Sequence, residues 1–176
     1  MVVSPSSKKR LEKVTGAQYS LLRDLTHEST LDAAALETML ADIVRDRFEM
    51  ARGLLQAAKT LARSKNSMVR RSAVSRAYYG AYQAARATVL WVHHRDEEDH
   101  ERLGKGIDSM AKLPRGSGTL LTELRTRRNE FDYSPYPGPN ARTAYDASTI
   151  EAMIKESLDA AEKLVRALDE CLKGRR

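Results

Sequence analysis

The chain has 176 residues, a formal net charge of +6 and a pI near 9.5, with 41% hydrophobic and 31% charged residues. This length suits one domain with a full hydrophobic core, and the positive charge favours an anionic partner. The single cysteine, Cys171, excludes an intramolecular disulfide, and because no apolar run is long enough to cross a membrane, we expect a cytoplasmic protein.

The N-terminal part of the sequence differs in composition from the rest. Residues 1–18 are rich in Ser and Lys and have few large apolar side chains, which predicts a mobile basic arm. An amphipathic pattern begins at Tyr19, so residues 19–40 are expected to form an additional helical segment. Residues 41–174 carry the stronger helical patterns and are expected to form the main helical bundle.

Two long helices are predicted next. Apolar side chains recur every three or four residues from Val44 to Ala62, and the second helix should run from Met68 to His93. One face of the second helix carries only small residues, which allows another helix to approach closely: Ala73, Ala77, Ala81, Ala84 and Thr88. The adjoining aromatic residues are expected to pack in the core.

Three further segments complete the predicted fold. A short helix is expected over residues 98–113, closed by Pro114, and a fourth from Ser117 to Tyr133. The prolines of residues 134–145 exclude a helix there. The last helix has an unbroken apolar stripe of Ile150, Ile154, Leu158, Ala161, Val165, Leu168 and Leu172. We predict an all-α, four- to five-helix up-and-down bundle with an N-terminal helical extension.

The four histidines do not have the spacing of a metal site. His93 and His94 are adjacent, so on a helix their side chains point about 100° apart. His100 lies in the charged stretch RDEEDHE, which is expected to be solvated. The sequence also lacks a glycine-rich phosphate loop and a nucleophile elbow. We therefore predict neither a metal site nor a cofactor.

The end of the fourth helix, in the stretch RTRRNEFDYSPYPGPN, is the candidate functional site. Arg128 and Asp132 are four residues apart and share a helix face, so the simplest interpretation is a surface ion pair worth about 0.2–0.5 kcal/mol. The alternative is a site for RNA or a nucleotide, in which arginines bind phosphate and tyrosines stack on bases. Its members would be Arg125, Arg128, Asn129, Tyr133 and Tyr136.

Three stretches together resemble a known family. SRAYYGAYQAARATVL (residues 75–90), HERLGKGIDSMAKLP and LRTRRNEFDYSPY are similar to successive helices of small prokaryotic HEPN domains (higher eukaryotes and prokaryotes nucleotide-binding). The resemblance covers about residues 40–173. It implies a helical bundle that forms a homodimer, with two copies of the arginine-containing helix end at one cleft.

The resemblance also implies two kinds of activity. Many HEPN proteins are metal-independent endoribonucleases that use an Arg and, a few residues later, a His; others are toxins whose Tyr near this motif is modified by a partner nucleotidyltransferase. Here Asp132 stands where a His would be expected, so Arg128 and Asp132 are the candidate catalytic pair and Tyr133 the candidate modification site. A carboxylate beside an arginine stays charged and is a poor proton donor.

Two functions therefore remain open from the sequence. The first is the toxin-like member of a toxin–antitoxin or defence pair, binding RNA or a nucleotide with at most weak ribonuclease activity. The second is a non-catalytic helical module that binds protein. A fold of this kind does not choose between them.

Overall fold

The fold is built from helices alone in the part of the chain that the computed structural model describes, residues 13–28, 33–135, 137–138 and 145–173. Six helices and no β-strand lie within these ranges: α1 (Gly16–Glu28), α2 (Ala33–Ala62), α3 (Ser67–His93), α4 (His100–Asp108), α5 (Ser117–Tyr133) and α6 (Ala147–Lys173). The predicted all-α bundle is confirmed, with α1 as the N-terminal addition.

Helix α3 is the central element, and it packs against α2, α5 and α6. It begins where the side chain of Asn66 accepts hydrogen bonds from the backbone N–H groups of Met68 and Val69, a normal N-cap. It ends at His93, and the C-cap residue His94 has a φ of 52°, in the left-handed region. The small residues predicted to line one face are fully buried, as are the Tyr78 ring and Val89.

Helices α2 and α3 form an antiparallel pair with a close crossing. Leu40 and Ile43, early in α2, pack against Leu90, late in α3. At the crossing itself, a Cβ atom on Gly80 would lie 3.0 Å from the carbonyl oxygen of Ala51. Gly80, a small residue that was not part of the predicted stripe, therefore lets the two backbones approach.

Helices α5 and α6 cover the other side of α3. Phe131, near the end of α5, packs with Val74, near the start of α3, and with Ile154 of α6. Helix α5 therefore runs antiparallel to α3, and this places the last turns of α5 beside the first turns of α3. The predicted bounds of α5 agree with those observed, Ser117–Tyr133.

Helix α1 packs against a separate small cluster formed by Tyr19, Leu40, Ile43 and Leu90. The Tyr19 ring also stacks on His94, with 4.1 Å between the ring centroids. This helix begins at Gly16, inside the stretch expected to be an arm, and the expected division at residue 40 falls inside α2. Residues 1–12 lie outside the described part of the chain.

Two expectations about the segment before α5 are wrong. The short helix α4 ends at Asp108 and does not extend to residue 113, because the backbone turns more tightly after it: Met110 N–H donates to the carbonyl oxygen of Ile107 and Leu113 N–H to that of Met110, three residues back and not four. The charged stretch before α4 is not fully solvated either. The Asp96 side chain is only 5% exposed, since it accepts hydrogen bonds from both Arg47 and Arg86.

Within the described residues, every helix is too short or too polar to span a membrane.

Candidate functional site

The candidate site lies on the seam between α3 and α5. Most of the circumference of α3 is buried, but Ser75 and Tyr79 lie on its partly exposed side. Because α5 runs antiparallel to α3, its last two turns bring Arg128 to Tyr79 and Asp132 to Ser75. We call this group the Arg128 cluster; it comprises Ser75, Tyr79, Arg128, Asn129, Asp132 and Tyr133.

Arg128 is the centre of the cluster, and its side chain is 14% exposed. One terminal nitrogen, Nη1, donates to Asn129 Oδ1 at 2.7 Å and to the Tyr133 hydroxyl at 3.3 Å. The other, Nη2, donates to the Tyr79 hydroxyl. The fork of the guanidinium is therefore held by neutral groups, which leaves its charge unneutralised on that side.

Aromatic rings surround the same guanidinium. Its Cζ atom lies 5.1 Å from the ring centroid of Tyr79, 5.5 Å from that of Tyr133 and 5.8 Å from that of Tyr78. Contacts of this length between an arginine and an aromatic face are stabilising and fix the orientation of the planar group. Tyr133 is the most exposed of the three rings, at 74%.

Asp132 pairs with Arg128, as the spacing of the two residues predicts. Its Oδ2 atom lies 3.3 Å from Arg128 Nε and accepts a hydrogen bond from the Ser75 hydroxyl at 2.9 Å. Arg128 Nε makes no hydrogen bond of good geometry, so the contact with Asp132 is an ion pair. The carboxylate is thus fixed on the α3 side of the arginine, away from the fork.

The three arginines of the RTRR stretch have different surroundings. Arg125 is half-buried and has no hydrogen-bond or ion-pair partner among the described residues. Arg127 points to α6, where it pairs with Glu156 at 3.2 Å. Arg125 acts electrostatically on Tyr78 and His100, as Arg128 does, so it belongs with Arg128, whereas Arg127 does not. Tyr136, the remaining predicted member, lies outside the described residues.

A buried arginine that the sequence did not single out holds the end of α5. Arg71 is 7% exposed and donates to the carbonyl oxygens of Phe131 at 2.7 Å, Pro135 at 3.2 Å and Ser134. These carbonyls end a helix and have no partner within it, and a positive charge is favourable at this end. Arg71 thus positions the turn that carries Asp132 and Tyr133.

His100 lies in surroundings that the sequence did not predict. It is half-buried at the start of α4, where its Nδ1 atom shares a hydrogen bond with the Tyr78 hydroxyl and its ring lies 4.6 Å from that of Tyr82. Burial lowers the pKa of His100, and the nearby charges of Arg125 and Arg128 lower it further. His100 is therefore electrostatically part of the same surface as the Arg128 cluster.

We expect the protein to lose stability in mild acid. Burial lowers the pKa of both His94 and His100 below the ordinary value of 6.5, so the unfolded chain binds more protons than the folded chain just below that pH. Stability should be full above about pH 6.5 and should fall as the pH drops through the lower folded-state pKa values. Urea unfolding at pH values from about 5.5 to 7.5 measures this loss.

The control for that experiment replaces both histidines by asparagine, which tolerates the left-handed backbone at His94. The His94→Asn, His100→Asn double variant should show a flatter dependence of stability on pH. Asp96 and Asp99 have lowered pKa values in the folded chain, so their effect appears only in stronger acid. An unchanged pH dependence in the double variant would contradict the assignment.

Within the described residues, no three His, Cys, Asp or Glu side chains converge in a way that could hold a metal ion. In comparisons with known proteins, no protein-family model matches the chain, and no curated protein matches it.

Proposed function

We propose that this chain is a HEPN-type protein that binds RNA or a nucleotide through its phosphate groups at the Arg128 cluster. The observation that carries the proposal is a guanidinium held by three tyrosine rings, with its fork bonded only to neutral groups. Arginine presents a planar pair of donors that matches a phosphate, and tyrosine rings stack on bases. The net charge of +6 favours the same kind of ligand.

Binding would proceed by exchange of hydrogen bonds. Tyr133 is largely exposed, so it can leave Arg128 at little cost and stack on a base while a phosphate oxygen takes its place. Arg125 has no partner among the described residues and would bind a second phosphate. The negative charge of Asp132 repels an anion. Its carboxylate, however, pairs with Arg128 through Nε on the α3 side and leaves the fork of the guanidinium free of it.

The geometry supports binding better than cleavage. Endonucleolytic cleavage without a metal needs a base for the 2′-hydroxyl and an acid for the leaving oxygen. In the Arg128 cluster, the one carboxylate is engaged by Arg128 and by the Ser75 hydroxyl. A weak ribonuclease activity through Arg128 and Asp132 stays a prediction, and Asp132→Asn tests it, because that change should abolish cleavage and spare binding.

The test of the proposed function compares two lysine substitutions in one helix. Arg128→Lys and Arg127→Lys both keep the net charge, but only the first removes a planar fork from the cluster. With a short, labelled single-stranded RNA and with ATP, Arg128→Lys should weaken binding by about tenfold, the effect of losing a charged hydrogen bond. Because Arg127 faces Glu156 of α6, the Arg127→Lys variant should bind RNA and ATP like the unaltered protein. Equal affinities for both variants would contradict the proposal.

Salt dependence separates phosphate binding from other association. If Arg125 and Arg128 each neutralise one phosphate of single-stranded RNA, the logarithm of affinity should fall with the logarithm of salt concentration with a slope of about −0.7 per phosphate. Arg125→Gln should reduce the size of that slope by about 0.7. Fluorescence anisotropy over a salt series measures it, and affinity that does not change with salt would exclude phosphate contacts.

The resemblance to HEPN proteins also leads us to propose a homodimer and a nucleotidyltransferase partner in a toxin–antitoxin or defence pair. The Tyr133 hydroxyl is the acceptor that such a partner would use: its oxygen attacks the α-phosphate of a nucleoside triphosphate, and pyrophosphate leaves. We expect a dimer by light scattering, and a mass increase of one nucleotidyl group with the partner that Tyr133→Phe abolishes. A monomer, or modification that persists in this variant, would contradict the respective proposal.

A second candidate function has its own support. Met68 and Val69 are exposed at the start of α3, and the Met68 sulfur lies 3.6 Å from Nη1 of Arg71, which in turn holds the end of α5. Together with Tyr133, these residues place exposed apolar groups at one end of the bundle. A protein-interaction module would use this surface, and it would bind neither RNA nor ATP at low salt.

A further inference from the structure

His100 is held in a fixed position by two tyrosines of α3. Its Nδ1 atom is hydrogen-bonded to the Tyr78 hydroxyl, and its ring packs on Tyr82, whose own hydroxyl donates to the carbonyl oxygen of Glu98 at 2.9 Å. Tyr78 is 1% exposed and Tyr82 is 7% exposed. The imidazole therefore cannot turn without disturbing buried groups.

The hydrogen bond with Tyr78 decides which ring nitrogen of His100 carries the proton. Burial raises the pKa of Tyr78 well above its ordinary value, so its hydroxyl keeps its proton. A buried O–H group needs an acceptor, and the partner of the Tyr78 hydroxyl among the described residues is His100 Nδ1. Tyr78 therefore donates to Nδ1, and the neutral ring carries its proton on Nε2.

The Nε2 atom is available to a ligand. It has no hydrogen-bond partner among the described residues and is not one of the fully buried, unpartnered atoms, so it is open to solvent. The His100 ring and the Arg128 guanidinium each lie 5.8 Å from the centroid of the Tyr78 ring. Arg125 acts electrostatically on both Tyr78 and His100, which places its charge at the same surface.

We infer that His100 is a ligand-binding residue, whose neutral Nε2–H group donates a hydrogen bond to a phosphate oxygen of the RNA or nucleotide bound at Arg125 and Arg128. This inference rests on the proposed function and extends the site from α5 to the start of α4. Tyr78 is its positioning residue, since it fixes the proton on the outward nitrogen.

The proton on Nε2 also determines what His100 can do in catalysis. A nitrogen that carries a proton has no lone pair to accept another, so Nε2 in this form does not act as a general base. His100 therefore does not replace the histidine that HEPN ribonucleases carry after their arginine. It adds affinity and does not itself supply a base for cleavage.

Two substitutions separate the roles of the two nitrogens of His100. His100→Asn keeps a polar atom near Nδ1 for Tyr78 but removes the outer donor, whereas His100→Gln places an amide near Nε2. We expect His100→Asn to weaken binding of labelled single-stranded RNA and of ATP by about tenfold and His100→Gln by no more than about threefold. Tyr78→Phe removes the hydroxyl that donates to Nδ1, so the proton of the neutral ring should no longer be confined to Nε2. The nitrogen chemical shifts of His100 measure how it is distributed between the two nitrogens. His93→Gln, at an exposed position, is the matched control.

The outcomes distinguish this inference from the proposed function. If Arg128→Lys weakens binding while both His100 variants bind normally, His100 is not a ligand residue and the proposed function stands. If neither RNA nor ATP binds the unaltered protein, both are overturned. Equal loss in the Asn and Gln variants, or an Nδ1–H tautomer in the unaltered protein, would overturn the assignment of Nε2–H as the donor. A loss of affinity that is clearly larger in His100→Asn than in His100→Gln, with an Nε2–H tautomer in the unaltered protein, supports it.

Discussion

Replacing Gly118 by alanine is expected to cause one of the largest losses of stability available to a single methyl group in this chain. A Cβ atom at this position would lie 2.0 Å from the carbonyl oxygen of Gly104 and 2.7 Å from Cγ of Asp108. Both distances are below contact, so α4 would have to move away from α5. Overpacking of this kind typically costs about 1–3 kcal/mol and occasionally more, and we expect about 3 kcal/mol by urea unfolding.

The same substitution elsewhere should have the opposite sign. Gly53 is exposed within α2, and a Cβ atom added to it would meet nothing within 4 Å, so Gly53→Ala should stabilise the protein by about 0.5–1 kcal/mol through helix propensity. Because α4 carries His100, Gly118→Ala should also weaken ligand binding. Comparable stabilities for the two variants would show that the crossing of α4 and α5 is not as close as the distances indicate.

The sequence predicted α3 and α5 well because the signals of these helices are local. Asn66 caps α3 through its own next residues, and a glycine and a proline precede α5, so the predicted and observed bounds nearly coincide. The small-residue stripe of α3 likewise needs only a period of three and four to be recognised, and it is buried as expected. These predictions depend on neighbours within one helical turn.

The positions that the sequence did not predict depend on distant partners. His100 stands among charged residues, and local composition indicates a solvated segment. Its surroundings come instead from Tyr78, 22 residues earlier, and Asp96 is buried because Arg47, 49 residues earlier, reaches it. Such pairings follow from how α2, α3 and α4 pack, which no pattern within one segment contains.

The candidate site combines a local pairing within one helix, which the sequence predicts, with contacts between helices, which it does not. The pairing of Arg128 with Asp132 was predictable, because residues four apart on a helix are neighbours. The contacts of Arg128 with Tyr79 and of Asp132 with Ser75 join α5 to α3. They depend on how the two helices pack, so the sequence did not predict them. These contacts distinguish the end of α5 from a simple surface ion pair, which would not be enclosed by three aromatic rings.

Arg71→Met is the second substitution with a large expected effect, and it acts on the site through α5. Methionine fills a similar volume, but it leaves the carbonyl oxygens of Phe131, Ser134 and Pro135 without the donors that now satisfy them. Hydrogen bonds from a charged donor are worth about 1.5–3 kcal/mol each, and water can replace part of this at the helix end. We expect a loss of about 3 kcal/mol by urea unfolding.

The loss should be local before it is global, because Arg71 holds one helix end. Amide hydrogen exchange at Ser134, whose N–H donates to the Glu130 carbonyl oxygen, should speed up more than exchange in the middle of α3. Arg76→Met is the control: Arg76 lies in the same helix, is exposed and has no partner among the described residues, so its stability should change by less than about 0.5 kcal/mol. Arg71→Lys should fall between the two, since it keeps a charge near the carboxyl end of α5 but not the planar set of donors. If Arg71→Met left exchange at Ser134 unchanged, the turn carrying Asp132 and Tyr133 would be held by something other than Arg71, and the Arg128 cluster would owe its geometry to the tyrosine contacts alone.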